Sequence, residues 1–167
     1  MAIKSVISEE MLALVGKVTH VWIQELDRTA IRLFARAVGY TDPVYYDVEA
    51  ARGRGFRDLV APPGFFGIPI FDPQQPLFVD PNGSWPWVTG ILNGGTDIEY
   101  IDSPCAGDRV EARRKVVSWS ERETSVGHTV ILREDVEYRR DGELIAIEHD
   151  TALYMAGSRP SRKEPGR

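Results

Sequence analysis

Alternation of apolar and polar residues in the second half of the chain constrains the fold more than any other feature. From residue 91 onward the pattern changes to a period of two: Thr96, Ile98 and Tyr100 alternate with Asp97 and Glu99, and the segments 110–119, 128–138 and 144–155 follow. A period of two places one face of a β-strand against a core. The turn sequences Ala106-Gly107-Asp108 and Arg140-Asp141-Gly142 separate two pairs of these runs. We therefore predict four long antiparallel strands.

The first third of the chain is patterned mainly as helix. Ser8, followed by two glutamates, is typical of a helix N-terminus, and Gly16 predicts the end of that helix. Asp27 resembles a second N-cap, after which apolar residues follow a helical period as far as Gly39. The β-branched and aromatic segment 18–26 predicts a short strand or an extended lead-in. Helices first and a meander afterwards indicate an α+β domain in which a sheet wraps or covers a helix.

The middle of the chain, from Pro62 to Trp87, is rich in proline and glycine. Proline breaks the helical hydrogen-bond ladder, so any helix that begins after Gly64 is predicted to be short or kinked near Pro69. Upstream of this region, Thr41-Asp42-Pro43 predicts a turn.

Length and composition indicate one domain of ordinary size. The chain has 167 residues, of which 43% are hydrophobic and 27% are charged, and this is enough to bury a core. We expect one domain over residues 1–156. Residues 157–167 have no apolar side chain suited to a core and are expected to form a disordered tail.

Charge and cysteine usage limit the classes of partner and cofactor. A net charge of −5 without a basic cluster argues against nucleic acid or an anionic membrane as partner. The chain start lacks the pattern of a signal peptide, and no apolar run is long enough to cross a bilayer, so we expect a cytoplasmic protein. The spacing of ligating residues indicates neither a metal nor another cofactor. Cys105, the one cysteine, has no basic neighbour that would activate its thiol.

Three separated segments resemble the MaoC-like hot-dog family, in particular its single-domain N-terminal-type branch of FAS1-like dehydratases. They are FARAVGYTDPVYYD, LVAPPGFF and LNGGTDIEYIDSPCAGDRV, in this order along the chain. The resemblance implies a single hot-dog domain, with an antiparallel sheet wrapped around a central helix that is here short or interrupted by proline.

The resemblance also implies a lyase reaction. Family members hydrate a trans-2-enoyl thioester or dehydrate a (3R)-hydroxyacyl thioester, carried on CoA or on an acyl carrier protein, in fatty acid, steroid or polyketide metabolism. A carboxylate and an imidazole hold the water that adds across the double bond. A backbone N–H at the start of the central helix polarises the thioester carbonyl.

The residues of this chain depart from that catalytic pattern. Gly39 matches the family's helix-ending glycine, but Tyr40 stands where the catalytic aspartate belongs and Tyr45 where the catalytic histidine belongs. The N-terminal-type branch commonly has tyrosine at the histidine position, whereas Tyr40 is a further departure. Asp42 takes the position of the family's asparagine, and Gly64 matches the glycine whose N–H binds the carbonyl.

Two interpretations follow from these departures. In the first, the domain lacks its own acid–base pair and works with a second hot-dog chain, while its own residues shape the acyl site. In the second, the site is rebuilt for a related reaction on a bulky acyl or non-thioester substrate, with Asp42 or Asp47 as the carboxylate and Tyr40, Tyr45 or Tyr46 as the hydroxyl donor. A purely acyl-CoA-binding role is a further alternative. Structural roles are also open, because Asp42 before a proline is typical of a turn and tyrosines are often half-buried.

Aromatic residues in the proline-rich middle are candidates for binding the acyl group, because ligand pockets are largely apolar and aromatic. The same residues could also belong to the core or to a dimer surface. With the turn residue Tyr46 and the glycine, the candidate substrate-binding residues are Gly64, Tyr46, Phe65, Phe66, Trp85 and Trp87, and Phe71 and Phe78 lie in the same region.

Two further expectations concern the strands. His128 and His149 fall on alternating strands, where the imidazole is expected to face solvent. A hot-dog sheet also leaves an edge strand unpaired, and such edges are usually covered. We therefore expect a homodimer, or a heterodimer with a second hot-dog chain, that continues the sheet.

Overall fold

A computed structural model describes residues 5–70, 85, 87–125 and 127–157, which form one antiparallel sheet with a few short helices. In chain order the elements are α1 (Glu9–Leu12), β1 (Val18–Glu25), α2 (Arg28–Ala37), a 3-10 helix (Pro43–Tyr45), α3 (Val48–Gly53), β2 (Ile68–Pro69), β3 (Val88–Tyr100), β4 (Arg109–Thr124), β5 (Gly127–Arg140) and β6 (Glu143–Ala156). The strand order is β2-β1-β4-β5-β6-β3. The predicted α+β class and four long antiparallel strands are confirmed.

The short-range sequence signals explain where these elements begin and turn. The Asp27 carboxylate accepts hydrogen bonds from the N–H groups of Thr29 and Ala30 and so caps α2, as N-cap residues do. The hairpin between β5 and β6 turns at Asp141 and Gly142, whose φ angles are 52° and 85°. Two consecutive positive φ angles match the twist of a two-residue hairpin turn. The segment predicted as strand or lead-in is strand β1.

The buried face of the sheet carries two separate clusters of core residues. The larger cluster joins Ile31 of α2 to the segment around Leu59 and Phe66 and to inward residues of β4, β5 and β6. The smaller cluster packs Met11 of α1 against Trp119 and Leu132 at the other end of the long strands. The sheet therefore covers α2 and an irregular segment at one end and α1 at the other.

The stretch after Gly64 is extended where the structure describes it. Pro63 and Gly64 form a turn, residues 65–67 have no regular secondary structure, and β2 then pairs antiparallel with β1, with Ile68 opposite Glu25. Between residues 64 and 70 there is accordingly no helix, in contrast to the central helix that the family pattern places there. Residues 71–84, with Phe71 and Phe78, and the predicted tail beyond residue 157 lie outside the described residues.

No helix within the described ranges is both long enough and apolar enough to span a membrane.

Candidate active site

The carboxylate of Asp42 holds the turn that carries it through both of its oxygens. One oxygen accepts the Val44 N–H at 3.1 Å and caps the 3-10 helix, and the other accepts from Arg54 Nη1 at 2.8 Å. The N–H hydrogen bond, followed by that from Arg54, lowers the pKa of the Asp42 carboxyl below its ordinary value. Asp42 is therefore an ionised helix cap and ion-pair partner in this structure.

Asp47 has a comparable structural role. Its carboxylate accepts the Ala50 N–H at 2.8 Å and caps α3. Both carboxylates considered for a rebuilt site thus stabilise the ends of short helices, which is the usual use of aspartate at these positions.

The tyrosines of the turn lie close to one another. The rings of Tyr40 and Tyr45 are 5.7 Å apart between centroids, and the hydroxyl of Tyr46 donates to the backbone carbonyl of Tyr40. Burial, followed by the nearby charge of Asp42, raises the pKa of Tyr45 above its ordinary value. A phenol with a raised pKa stays protonated at neutral pH, so Tyr45 can donate a hydrogen bond but is a poor base.

Gly64 lies next to Tyr100, a residue that the sequence did not single out. Gly64 has a φ of +83°, and its N–H donates to the hydroxyl oxygen of Tyr100 at 2.6 Å. Tyr100 ends strand β3, 36 residues further along the chain. The amide that the family pattern assigns to the thioester carbonyl is therefore hydrogen-bonded to a phenol of the same chain.

A cavity of about 200 Å³ opens beside these residues, and we call it the Tyr100 pocket. Its lining includes Tyr45, Ala61, Pro63, Tyr100, Ser103 and Pro104. Two backbone contacts hold its walls together: an isolated bridge pairs Val60 with Cys105, and the Ala61 N–H donates to the Pro104 carbonyl at 2.8 Å. The pocket thus has mostly apolar walls, with hydroxyl groups at a few positions.

An ion-pair network centred on the buried Asp108 fixes the turn next to the pocket residue Pro104. Asp108 accepts two hydrogen bonds from Arg57, at 2.7 and 2.9 Å, and one from the Cys105 N–H at 2.9 Å. Burial by itself would raise the pKa of Asp108, but these donors outweigh it and hold the pKa below its ordinary value. Burial raises the pKa of the Cys105 thiol, so this side chain has the character of a packed residue.

The candidate aromatic residues divide between the two ends of the sheet. Phe65 and Phe66 are buried beside Gly64, where Phe66 stacks on Tyr138 at 3.7 Å and on Tyr100 at 5.5 Å between ring centroids. Trp85 and Trp87 instead pack with the smaller core cluster, and Trp85 meets the ring of Trp119 edge-on at 5.4 Å. The structure therefore brings the phenylalanines to the Tyr100 pocket and places the tryptophans elsewhere.

A second feature that the sequence did not predict is a group of charged side chains at the centre of the sheet's inward face. Arg114, Glu134, Glu148 and Asp150 form this inward polar group. Glu148 stands opposite the buried Val136 in the pairing of β5 with β6, and Glu134 stands opposite Asp150. The sequence pattern could have predicted this, because strict alternation from the buried Ala146 puts Glu148 and Asp150 on the same face of β6.

Burial affects the protonation of two carboxyls of this inward polar group, Glu134 and Glu148. The Tyr138 hydroxyl donates to Glu148 at 2.9 Å, and Thr96 donates to Asp150 at 2.7 Å. Burial, then the charge of Asp150, raises the pKa of Glu148, and burial raises the pKa of Glu134. These carboxyls are therefore more readily protonated than exposed ones.

The histidines do not contribute an imidazole to the turn or to the Tyr100 pocket. The expectation for His128 is wrong: its side chain is only 13% exposed and its Nδ1 lies 2.8 Å from Glu123 Oε1. Alternation along β5 puts position 128 on the same face as the buried Val130. His149 is 43% exposed, as expected, and pairs with Asp135 at 2.7 Å, which raises its pKa. His20 stacks on Trp22 of the same strand. In the described part of the chain, no three ligating residues are grouped to hold a metal ion.

Comparison with known protein families identifies the family to which this chain belongs. The model described as "FAS1-like, dehydratase domain region" matches residues 13–148. The chain belongs to this family of FAS1-like dehydratase domains. A UPF0336 protein of Parafrankia sp. is 32% identical over 147 residues, which are 83% of this chain and 88% of that protein.

Solved structures share the fold of this FAS1-like dehydratase domain. The ChsH1-ChsH2 complex of Mycobacterium tuberculosis contains a chain with a TM-score of 0.65 and 19% identity, covering 86% of this domain and 90% of that chain. The C-terminally truncated HadBC (3R-hydroxyacyl-ACP dehydratase) complex of the same organism gives 0.62 and 23%, with 84% and 96% covered. At these identities the likeness shows the fold alone, and the MaoC-like hot-dog assignment is confirmed.

Proposed function

We propose that this domain is a subunit of a (3R)-hydroxyacyl-thioester dehydratase, or equivalently of an enoyl-thioester hydratase, and that it depends on a second hot-dog chain for acid–base catalysis. One observation carries the proposal. At the turn where the reaction needs a carboxylate and an imidazole, the chain has the Asp42 carboxylate, which caps a helix and pairs with Arg54, and the Tyr45 phenol, whose pKa is raised.

The chemistry of hydration explains why this turn is insufficient. Water must lose a proton as it adds to C3, and C2 must gain one, so the site needs a base near neutral pKa. The lowered pKa of Asp42 makes its carboxylate a weak base, and the raised pKa of Tyr45 keeps its phenol protonated. A partner chain with an intact pair would supply the missing groups, while this chain would contribute the Tyr100 pocket to the acyl site.

The proposed partner would add to the free edge of the sheet at β3. Among the residues that the structure describes, this 13-residue strand pairs with β6 and with no other strand. Ile91 and Leu92 on it are 47% and 44% exposed, and long edges with exposed apolar side chains favour pairing with another strand. The two similar solved structures are complexes of two named chains, which supports a hot-dog partner for this chain.

A thioester is the proposed ligand class on the basis of family membership and of the pocket. The Tyr100 pocket is about 200 Å³, smaller than a typical pocket for a whole drug-sized ligand. It would hold the thioester carbonyl and the first acyl carbons, with the carrier outside. CoA and acyl carrier protein both fit this arrangement.

The test compares the purified full-length chain with and without a candidate hot-dog partner. Crotonyl-CoA and longer or cyclic enoyl-CoAs are the substrates, and loss of enoyl absorbance reports hydration. We expect binding of the saturated analogue butyryl-CoA by this chain, negligible hydration by this chain alone, and hydration after the partner is added.

Asp42→Asn separates the proposal from a rebuilt site. Asparagine still caps a helix, so the turn is retained while the carboxylate is lost, and Asp27→Asn at the cap of α2 is the matched control. Turnover by the lone chain that disappears in Asp42→Asn and persists in Asp27→Asn would refute the proposed dependence on a partner. If the chain binds butyryl-CoA but is inactive with every partner tried, the result favours a pure binding role instead.

A further inference from the structure

The hydrogen bond between Gly64 and Tyr100 has a direction that matters for ligand binding. The Gly64 N–H donates to the phenol oxygen at 2.6 Å, so the phenol's own proton is not used in this contact. Among the residues that the structure describes, no acceptor lies within hydrogen-bond distance of that proton. Because Tyr100 also lines the pocket, it offers a donor to whatever occupies the cavity.

Tyr100 is suited to act as a neutral donor. Burial raises the pKa of its phenol above the ordinary value, and the Gly64 N–H only partly opposes this, so the hydroxyl keeps its proton at neutral pH. A hydroxyl that accepts a hydrogen bond becomes a stronger donor, because bonds in a chain polarise one another. The amide therefore reinforces the phenol as a donor even though it does not face the cavity itself.

The ring of Tyr100 is held in place but remains accessible. One side stacks on Phe66 at 5.5 Å, and the strand register sets Tyr100 opposite the buried Ala146. The next residue is also anchored, since the Ile101 N–H donates to the Ile145 carbonyl at 2.8 Å. At 41% exposure, Tyr100 can still be reached by a ligand, and a fixed donor needs little reorganisation on binding.

We propose that the Tyr100 hydroxyl is the direct hydrogen-bond donor to the thioester carbonyl oxygen, and that the Gly64 amide acts through it. The sequence of hydrogen bonds is Gly64 N–H to Tyr100 oxygen, and Tyr100 O–H to carbonyl oxygen. The bond shortens as the carbonyl gains enolate character, and the proton stays on the phenol. This inference rests on the proposed function, because it requires an acyl thioester as the ligand.

The experiment uses the full-length chain and butyryl-CoA labelled with ¹³C at the thioester carbonyl, a ligand that cannot be hydrated. Calorimetry gives the dissociation constant, and isotope-edited infrared spectroscopy gives the carbonyl stretching frequency. Tyr100→Phe keeps the ring that stacks on Phe66 and removes only the hydroxyl. Tyr154→Phe, in the smaller core cluster, removes a hydroxyl elsewhere on the sheet and is the matched control.

We expect Tyr100→Phe to weaken binding about tenfold, the effect of losing one hydrogen bond. We also expect the bound carbonyl to lose the downward frequency shift seen with the unchanged chain, whereas Tyr154→Phe should retain both properties. A merely structural role for Tyr100 would not move the carbonyl band.

Other outcomes overturn the inference in distinguishable ways. Tighter binding by Tyr100→Phe would show that the hydroxyl blocks the Gly64 amide, and unchanged affinity and frequency would show that it does not touch the carbonyl. In both cases the proposed function survives. Failure of the unchanged chain to bind butyryl-CoA, alone or with its partner, would instead remove the proposed function and this inference with it.

Discussion

At the scale of single residues, Asp108 shows how a side chain that resembles part of a surface turn becomes structural. Its side chain is 3% exposed and bonded to Arg57, with Arg140 at 3.3 Å. The partners come from segments 51 and 32 residues away in sequence. The carboxylate therefore joins the irregular segment before the pocket to the sheet, and it holds the turn next to Cys105.

Replacing Asp108 with asparagine should lower the free energy of unfolding by about 2–3 kcal/mol, because charge-assisted hydrogen bonds to a buried carboxylate are lost. Urea unfolding followed by circular dichroism measures this change. Glu111→Gln is the matched control: Glu111 pairs with Arg113 at the surface, where both side chains are at least 40% exposed, and such pairs contribute about 0–1 kcal/mol. Equal effects of the two substitutions would contradict the structural role of Asp108.

In the candidate site, the role of Tyr100 likewise depends on a partner that is distant in the sequence. The sequence identified Gly64 from its position in a motif, but a hydrogen bond between residues 64 and 100 depends on how β3 is placed against the irregular segment. No local pattern of residues contains that information.

At the scale of elements, the inward face of strand β6 carries both core residues and charged residues. Its inward positions pass from the buried Ala146 to Glu148 and Asp150 and then to apolar residues that pack with the smaller cluster. The polar positions fall between the two core clusters. Carboxyls at a central inward site lose solvation, and the raised pKa of Glu148 reflects this loss.

The raised pKa of Glu148 predicts a specific dependence of stability on pH. Because the folded state holds the proton more tightly than the unfolded state, this group's stabilising contribution is present below the unfolded pKa and is lost as pH rises through the folded pKa. Glu148→Gln removes that loss while leaving an acceptor for the Tyr138 hydroxyl. Its stability relative to the unchanged chain should therefore increase from mildly acidic to neutral pH, as measured by urea unfolding.

The matched control is Glu143→Gln, at the exposed first position of the same strand β6, for which the difference in stability should vary less across the same range. A pH-independent difference for Glu148→Gln would mean that burial does not perturb this carboxyl in solution.

At the scale of the whole molecule, the sheet formed by residues 5–70, 85, 87–125 and 127–157 has an unpaired edge along β3. Its opposite side ends in the two-residue β2, which shields part of β1. The open edge lies on the same strand that ends at Tyr100. Pairing at β3 would therefore bring a second chain close to the Tyr100 pocket.

Ile91→Lys should weaken assembly through this edge, because it places a charge where a second strand would exclude water. Analytical ultracentrifugation of the chain, alone and with a hot-dog partner, should show a shift to lower mass. Leu33→Lys is the matched control, since Leu33 is an exposed leucine on α2, 62% accessible. Assembly that is unaffected by Ile91→Lys but lost with Leu33→Lys would place the interface on α2.

The sequence by itself determined the features that depend on neighbours along the chain. Alternation specified the long strands because side chains on a strand point to opposite faces in turn. Asp27, Asp42 and Asp47 cap or turn the chain because a short carboxylate reaches backbone N–H groups two or three residues ahead. The three family segments predicted the hot-dog class, and Tyr40 and Tyr45 at the positions of the family's acid–base pair are the basis for proposing that a partner supplies that pair.

Only the tertiary structure decided which distant groups meet. It paired Gly64 with Tyr100, joined Asp108 to Arg57, and separated Trp85 from Phe66 by assigning them to different core clusters. It also turned His128 inward and set Glu148 in the centre of the covered face. These contacts depend on strand register and on how the irregular segments pack, which arise from the balance of burial over the whole chain and not from any local pattern.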